Sequence, residues 1–249
     1  MASGPGERLQ GTALVTGGAV RLGRAIALAL AGLGMDVVVH VRSSLSEGQQ
    51  TVEAIRLLGR RAFLVSADLG DEQQARDLVP RAVQAAGPLL VLVNSASVFP
   101  ADSLLEFSGD ALARNVAVNA MAPLALSRAF AAQGHGGVIV NLLDSRITDY
   151  DRLHASYHLS KKMLYDITRM LALELAPAVR VNGVAPGLVL PPAGEDASWL
   201  EANRKTNPLR SYGSPEEVAD AVCFLVRSRF ITGQVLFVDG GRHLRGSVY

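Results

Sequence analysis

The stretch Thr12-Ala13-Leu14-Val15-Thr16-Gly17-Gly18-Ala19-Val20-Arg21-Leu22-Gly23 decides the fold. Its first part, Thr12–Thr16, is a short apolar β-type run. Its second part is a glycine-rich turn, and the helical pattern Leu22–Leu33 follows. A glycine turn between a strand and a helix lets the backbone approach a pyrophosphate, which then rests on the helix N-terminus. Glycine spacing alone is a weak signal, and the strand–turn–helix context gives it meaning. The bland alternative is a tight turn with no ligand.

Outward from this stretch the same alternation continues. Further β-type runs lie at Asp36–Val41, Ala62–Ser66, Leu89–Asn94, Gly137–Leu143, Val179–Val184 and Val235–Val238. Helical patterns lie between them at Ser46–Leu58, Asp71–Ala86, Asp110–Ala132, His154–Leu175 and Pro215–Val226. The β-type runs are continuously apolar, the pattern of strands buried on both faces of a parallel sheet. The spacing therefore predicts an α/β Rossmann fold, a doubly wound seven-stranded parallel sheet with helices on both faces. No linker divides the chain, so one domain is expected over 11–249, after a flexible tail over 1–10. The stretch from Gly194 to Pro208 is the least regular and carries the only Trp, so a loop-plus-helix insertion near a ligand is expected there.

Composition narrows the function. Apolar residues make up 49 %, enough for a sizeable core, while aromatics are 5 %, too few for a base-stacking surface. A net charge of +1 gives no general reason to bind nucleic acid or an anionic membrane. The single cysteine, Cys223, lies in the apolar run Ala221–Val226 and reads as a small core residue. One cysteine excludes an intrachain disulfide and a multi-cysteine metal site, and no metal is expected. The N-terminal residues lack the apolar stretch of a signal peptide, and no window is apolar enough to span a bilayer. A cytoplasmic location is the expectation.

Five places carry candidate chemistry. Gly17, Arg21, Leu22 and Gly23 belong to the glycine turn. The second strand ends in His40-Val41-Arg42-Ser43-Ser44, where NAD-binding folds usually place a carboxylate for the ribose hydroxyls. A carboxylate would repel a 2′-phosphate, whereas Arg42, Ser43 and Arg21 suit one, so NADPH is the expected cofactor. Arg42 as an ordinary solvated charge is the alternative. Asp68, after the third strand, can accept from an adenine amino group or cap the next helix. Asn94-Ser95-Ala96-Ser97-Val98-Phe99 is a small-residue turn that a cofactor can pass closely. Finally, Tyr157 and Lys161 stand four apart and project from one helix face. A phenol titrates near ~10, and a neighbouring ammonium favours its phenolate and fits it for acid–base work.

With these residues in place the chain resembles the short-chain dehydrogenase/reductase family over essentially its whole length. The matching pieces are Thr16–Gly23, Asn94–Ala96, Asn119, Tyr157 with Lys161, Asn182–Gly187 and Val238-Asp239-Gly240-Gly241. The resemblance implies Tyr157 as general acid/base. It implies that Lys161 holds the nicotinamide ribose, that Asn119 supports a proton-relay water, and that Pro186 and Gly187 lie against the cofactor. Two departures stand out. Arg21 replaces the middle glycine of the family turn, and position 144, thirteen before Tyr157, is Asp where the family has Ser. Either Asp144 or its neighbour Ser145 takes that role.

Both departures are similar to the pteridine reductase branch, as are His40, Arg42-Ser43 and the Ala96-Ser97-Val98-Phe99 turn. That likeness implies Phe99 as a stacking platform for a pterin and Ser97 as a polar contact, with Asp144 and Tyr157 also facing substrate. Phe99 packing under the insertion and Asp144 capping a loop are the alternatives. The likeness also implies a homotetramer, in keeping with helices Asp110–Ala132 and His154–Leu175 that are apolar over much of their surface. The tail Arg242-His243-Leu244-Arg245 either reaches a neighbour's site or is solvated. The expected function is an NADPH-dependent reductase of pterin- or dihydropterin-type substrates. Its rivals are a carbonyl reductase acting on 3-oxoacyl or small ketone substrates and a non-catalytic NADP(H)-binding sensor.

Overall fold

The computed structural model describes residues 9–150, 152–192 and 194–244. The expected tail over 1–10 therefore lies mostly outside the described residues, and so does Arg245. Seven strands form one sheet: β1 (Thr12–Val15), β2 (Asp36–Val41), β3 (Ala62–Ser66), β4 (Leu89–Asn94), β5 (Gly137–Leu142), β6 (Val179–Pro186) and β7 (Val235–Val238). Their order is β3-β2-β1-β4-β5-β6-β7, with every pairing parallel. The chain winds outward from β1 to β3 and then crosses back to β4. The switch point between β1 and β4 opens a crevice at the strands' carboxyl ends, where ligands of this fold bind.

The strands are apolar on both sides because both sides are covered. Along β1, Ala13 and Val15 point into one core and Leu14 into the other. On the first face, helices α1 (Arg21–Gly32) and α8 (Pro215–Arg227) contribute Ile26, Leu30, Val218 and Val222. On the second, α3 (Glu72–Ala86), α5 (Ala122–Ala131) and α6 (Ala155–Glu174) contribute Leu78, Leu126, Phe130, Leu164 and Leu171. Helix α2 (Leu45–Leu57) places Val52 and Ile55 on the first. Cys223 is in the same core, and burial pushes its thiol up to about 11.

The expected helix over Asp110–Ala132 is interrupted. It forms α4 (Gly109–Val116), a π-helical segment Ala117–Met121, and α5. Pro123 is the physical reason. It has no N–H for the carbonyl of Asn119 four residues back, and its ring crowds that carbonyl. The Ala122 N–H reaches back to the Ala117 carbonyl, the longer spacing of a π turn. Strand β6 runs two residues past its expected end, to Pro186. The stretch from Gly194 to Pro208 contains the short helix α7 (Ala197–Asn203) and a 3₁₀ turn Arg204–Thr206.

Candidate active site

Several helix starts in this fold are capped by their own sequence. Asp71 accepts from Gln74 N at the start of α3, Ser108 does the same for Ala111 N at α4, and Ser214 with Glu217 forms a capping box at α8. Helix α1 has no such cap. Its N-cap is Val20, and its first turn carries no acidic residue. Its N-terminal N–H groups and positive dipole end are thus available to an anion at the switch point.

The glycine turn is shaped for close approach. Gly17 has φ +64°, and a Cβ on Gly23 would stand 2.1 Å from the Gly17 carbonyl oxygen. Arg21, at the family's middle-glycine position, has φ +53°, the left-handed region that favours glycine. Its guanidinium does not join Arg42. Its Nη2 donates to the Pro191 carbonyl at 2.6 Å, beyond β6. In this structure the Arg21 side chain is therefore directed to the loop after β6. Leu22 packs against the first core.

The cleft beside this turn is lined by Gly17, His40, Arg42, Ser43, Asp68 and Ala96, with their neighbours. Arg42 and Ser43 are exposed at its mouth. No carboxylate stands at the end of β2. His40 is buried and acts as a clip. Gly17 N donates to its Nδ1 at 3.2 Å, and its Nε2 faces the Ala67 carbonyl at 3.1 Å. These partners require a neutral ring with the proton on Nε2. Burial lowers its pKa to about 4, the Ala67 carbonyl opposing that shift, Arg81 adding to it and Asp68 opposing it. Asp68 does not cap α3, because Asp71 does. Asp68 Oδ1 instead accepts from Gly70 N at 2.8 Å.

After β4 the backbone turns sharply, held by Thr16. Its Oγ1 accepts from Ser95 N at 2.9 Å and Ala96 N at 3.0 Å. Asn94 is directed differently. Its Nδ2 donates to Asn141 Oδ1 at 2.8 Å, and Asn141 donates to Thr168 of α6, so this side chain lies between sheet and helix. Asn119, in the π turn, is fully buried and holds the next part of the loop. It accepts from Val98 N at 2.9 Å and Ser97 Oγ at 3.1 Å, and donates to the Val98 carbonyl and to Ser160 Oγ, both at 3.0 Å.

Tyr157 Oη donates to Asp144 Oδ2 at 2.9 Å. Asp144 Oδ1 accepts from Arg146 N at 2.8 Å, which fixes the carboxylate. Between Asp144 and Ser145, it is Asp144 that meets the phenol, while Ser145 is buried. Lys161 is 3 % exposed and donates to the Leu142 carbonyl at 2.7 Å. Burial lowers its pKa to about 8, with the Asp144 charge opposing that shift. Its Nζ lies 5.7 Å from the Tyr157 ring centroid. Phe99 is 48 % exposed, stacks on His154 at 3.8 Å and meets Tyr157 edge-on at 4.5 Å. One face of the expected platform is thus covered by His154, a residue for which the sequence carries no visible signal. Gly187 N donates to the Val238 carbonyl at 2.9 Å, and a Cβ on Gly187 would lie 2.6 Å from Asp239 Cβ. Pro186 ends β6 beside it. His243 pairs with Asp239 at 2.9 Å and stacks on Phe237, so the described part of the C-terminal tail is packed against its own chain. Among the described residues no cluster of metal-ligating side chains occurs.

A buried lysine and a carboxylate flanking a phenol, at the end of a parallel sheet with a phosphate-ready turn, define an oxidoreductase site that uses a nicotinamide dinucleotide. A family model described as enoyl-(acyl carrier protein) reductase matches residues 18–243. The chain belongs to the short-chain dehydrogenase/reductase family. It is 36 % identical to FolM alternative dihydrofolate reductase 1 of Brucella canis, solved with NADP, with TM-score 0.88 over 95 % of this chain and 96 % of that one. It is equally 36 % identical to a short chain dehydrogenase of Burkholderia cenocepacia J2315, solved with NADP, with TM-score 0.87 over 95 % and 98 %. L-rhamnose 1-dehydrogenase (NAD(P)(+)) of Sphingomonas sp. (strain SKA58) is 31 % identical over 94 % of this chain and 96 % of its own length. The chain is thus an NAD(P)-dependent oxidoreductase. Among the described residues no helix is long and apolar enough to cross a membrane.

Proposed function

We propose that the chain is an NADPH-dependent reductase of pterin- or dihydropterin-type rings that works as a homotetramer. The observation that carries this reading is the Asp144 carboxylate at 2.9 Å from the Tyr157 phenol, with the Phe99 ring edge-on to that same Tyr157 at 4.5 Å. A pterin is flat and edged with ring nitrogens and amino hydrogens. It calls for an apolar ring beside it and an acceptor at its edge, which Phe99 and Asp144 offer. A ketone oxygen calls instead for a neutral hydroxyl donor. The name of the Brucella relative points the same way.

NADPH is favoured over NADH by Arg42 and Ser43 at the cleft mouth and by the absence of a carboxylate at the carboxyl end of β2. The uncapped start of α1 with Gly17 and Gly23 would hold the pyrophosphate, and Lys161 the nicotinamide ribose. When bound, the reduced nicotinamide supplies the hydride to a C=N carbon. Tyr157 Oη delivers the proton to the ring nitrogen. Lys161 favours the phenolate that remains, and Asp144 orients the phenol and accepts from ring N–H groups. Asn119 holds Ser97 and Val98 beside that space. Exposed Leu159, Met163, Met170 and Leu173 on α6 support assembly into an oligomer.

Initial rates of NADPH oxidation with dihydrobiopterin, dihydrofolate, a panel of ketones and 3-oxoacyl thioesters, and no substrate test the reading. Turnover of a dihydropterin above all ketones is the expected result. Turnover of ketones alone would replace it with the carbonyl reductase reading. NADPH binding without turnover of any substrate would replace it with the sensor reading.

A further inference from the structure

We infer that Asp102 is a positioning residue for the helix that carries Tyr157 and Lys161, capping α6 from a loop outside it. This inference rests on the reductase reading of the site. Helix α6 needs such a cap because its own sequence does not provide one. Its N-cap is His154, whose side chain makes no bond to the first turn. The imidazole Nδ1 is turned to the Pro100 carbonyl at 2.8 Å. The first N–H groups of a helix have no partners within it and must find them elsewhere.

Asp102 supplies them from far away in the sequence. Its main-chain oxygen accepts from Ala155 N at 3.2 Å, and its Oδ1 accepts from Ser156 N at 3.0 Å. Its Oδ2 accepts from Ser156 Oγ, which in turn accepts from Asn115 Nδ2 of α4 at 2.9 Å. In the other direction, Asp102 N donates to the Leu153 carbonyl at 2.8 Å. A carboxylate at this position also meets the positive end of the helix dipole. Asp102 therefore does the work of an N-cap residue, although it is 54 positions from the atoms it caps.

The consequence for the site follows from what lies at each end of the strap. Tyr157 is the third residue of α6, so fraying of the first turn moves its phenol directly. Ser97 and Phe99 lie three to five residues before Asp102 on the same loop, and Phe99 touches both His154 and Tyr157. Asp102 thus fixes the proton donor and the apolar wall of the substrate space to one another. It acts through the helix and the loop, and makes no hydrogen bond to the Tyr157 phenol, whose partner is Asp144. Misplacement of an acid relative to its substrate lowers rate without lowering cofactor affinity.

The test uses the full chain with Asp102→Ala and Asp102→Asn. Dihydrobiopterin turnover, NADPH binding and amide exchange across Ala155–His158 in the NADPH complex are measured for each. Asp102→Ala is expected to lower kcat about fivefold or more, the scale of a lost cap, and to raise KM for the pterin. Its NADPH affinity should stay native, and its first-turn amides should exchange faster. Asp102→Asn keeps an oxygen for Ser156 N and should recover most of the rate. If Asp102→Ala does not fold, Ser156→Ala, which removes one arm of the strap, should show a smaller loss of the same kind. Native kcat and KM in Asp102→Ala, or equal protection of its first-turn amides, would overturn the inference. If the unaltered protein reduces no dihydropterin, the functional reading fails, and amide exchange, which needs no substrate, still decides on Asp102.

Discussion

Tyr157 Oη and Asp144 Oδ2 form a direct hydrogen bond of 2.9 Å, in which the phenol donates and the carboxylate accepts. The carboxylate is itself held by Arg146 N, and the phenol ring is flanked by Phe99 and by Lys161 Nζ. The phenol is thus the one group in this array that bears a proton and is pinned between an acceptor and a cation. Tyr157→Phe keeps the ring and its packing but removes the proton. Turnover should fall by roughly 10²–10⁴-fold, the usual scale for a general acid–base group, while NADPH binding persists. Single-turnover kinetics with a binding titration separate the two effects. Near-native turnover would show that another group transfers the proton.

Asp144 should set the kind of substrate reduced. Asp144→Ser withdraws the carboxylate acceptor and leaves a short neutral hydroxyl. Loss of a charge-assisted hydrogen bond costs about 1.5–3 kcal/mol, or roughly ten- to a hundredfold in rate. Dihydropterin turnover should fall on that scale while turnover of small ketones rises. Steady-state kinetics on both substrate types checks this. A parallel loss on both would mean that Asp144 serves only to hold the loop, through Arg146 N.

Much of this architecture was legible in the sequence because it rests on local patterns. Continuous apolar runs such as Val37-Val38-Val39 can only be strands covered on both sides, and the cores on the two faces take alternate residues of that run. Tyr157 and Lys161 are visible because helical spacing alone puts them on one face. What the sequence hides is set by contacts distant in the chain. Nothing near Arg21 says that its side chain reaches Pro191. The π turn at Asn119 could have been suspected from Pro123 inside a helical pattern. The Asp102 cap and the His154 stack on Phe99 have no local signal, since each joins the loop after β4 to the start of α6.

Arg42 should select the phosphorylated cofactor. It stands exposed at the mouth of the cleft, with Ser43 beside it and no carboxylate on the end of β2. Arg42→Asp replaces an attractive charge with a repulsive one. NADPH affinity should drop about tenfold or more, the scale of one charge-assisted contact, while NADH affinity holds or improves. Binding titrations with both cofactors measure the ratio. Equal affinity of the unaltered protein for NADPH and NADH would remove Arg42 from cofactor choice.

His40 should make the fold, and with it the cofactor turn, sensitive to acid. Its ring must stay neutral, because Nδ1 accepts from Gly17 N while Nε2 donates to the Ala67 carbonyl. Burial lowers its pKa from 6.5 to about 4, with Arg81 adding to the shift and the Ala67 carbonyl and Asp68 opposing it. Between these values the unfolded chain holds a proton at this residue and the folded chain does not. The unfolded state binds more protons, so stability rises with pH from about 4 to 6.5 and is lost as pH falls through that window. Once protonated, Nδ1 can no longer accept from Gly17 N, and the glycine turn loses its anchor to β2. His40→Asn has no such proton to take up. Carboxylates titrate alike in both proteins, so the difference between their Tm profiles isolates His40. The unaltered protein should lose Tm more steeply than His40→Asn between pH 6.5 and 4, while its NADPH affinity should hold through that range and decline only as pH reaches about 4, where the folded ring takes up its proton. Parallel Tm profiles would mean that the ring is not held neutral in the fold.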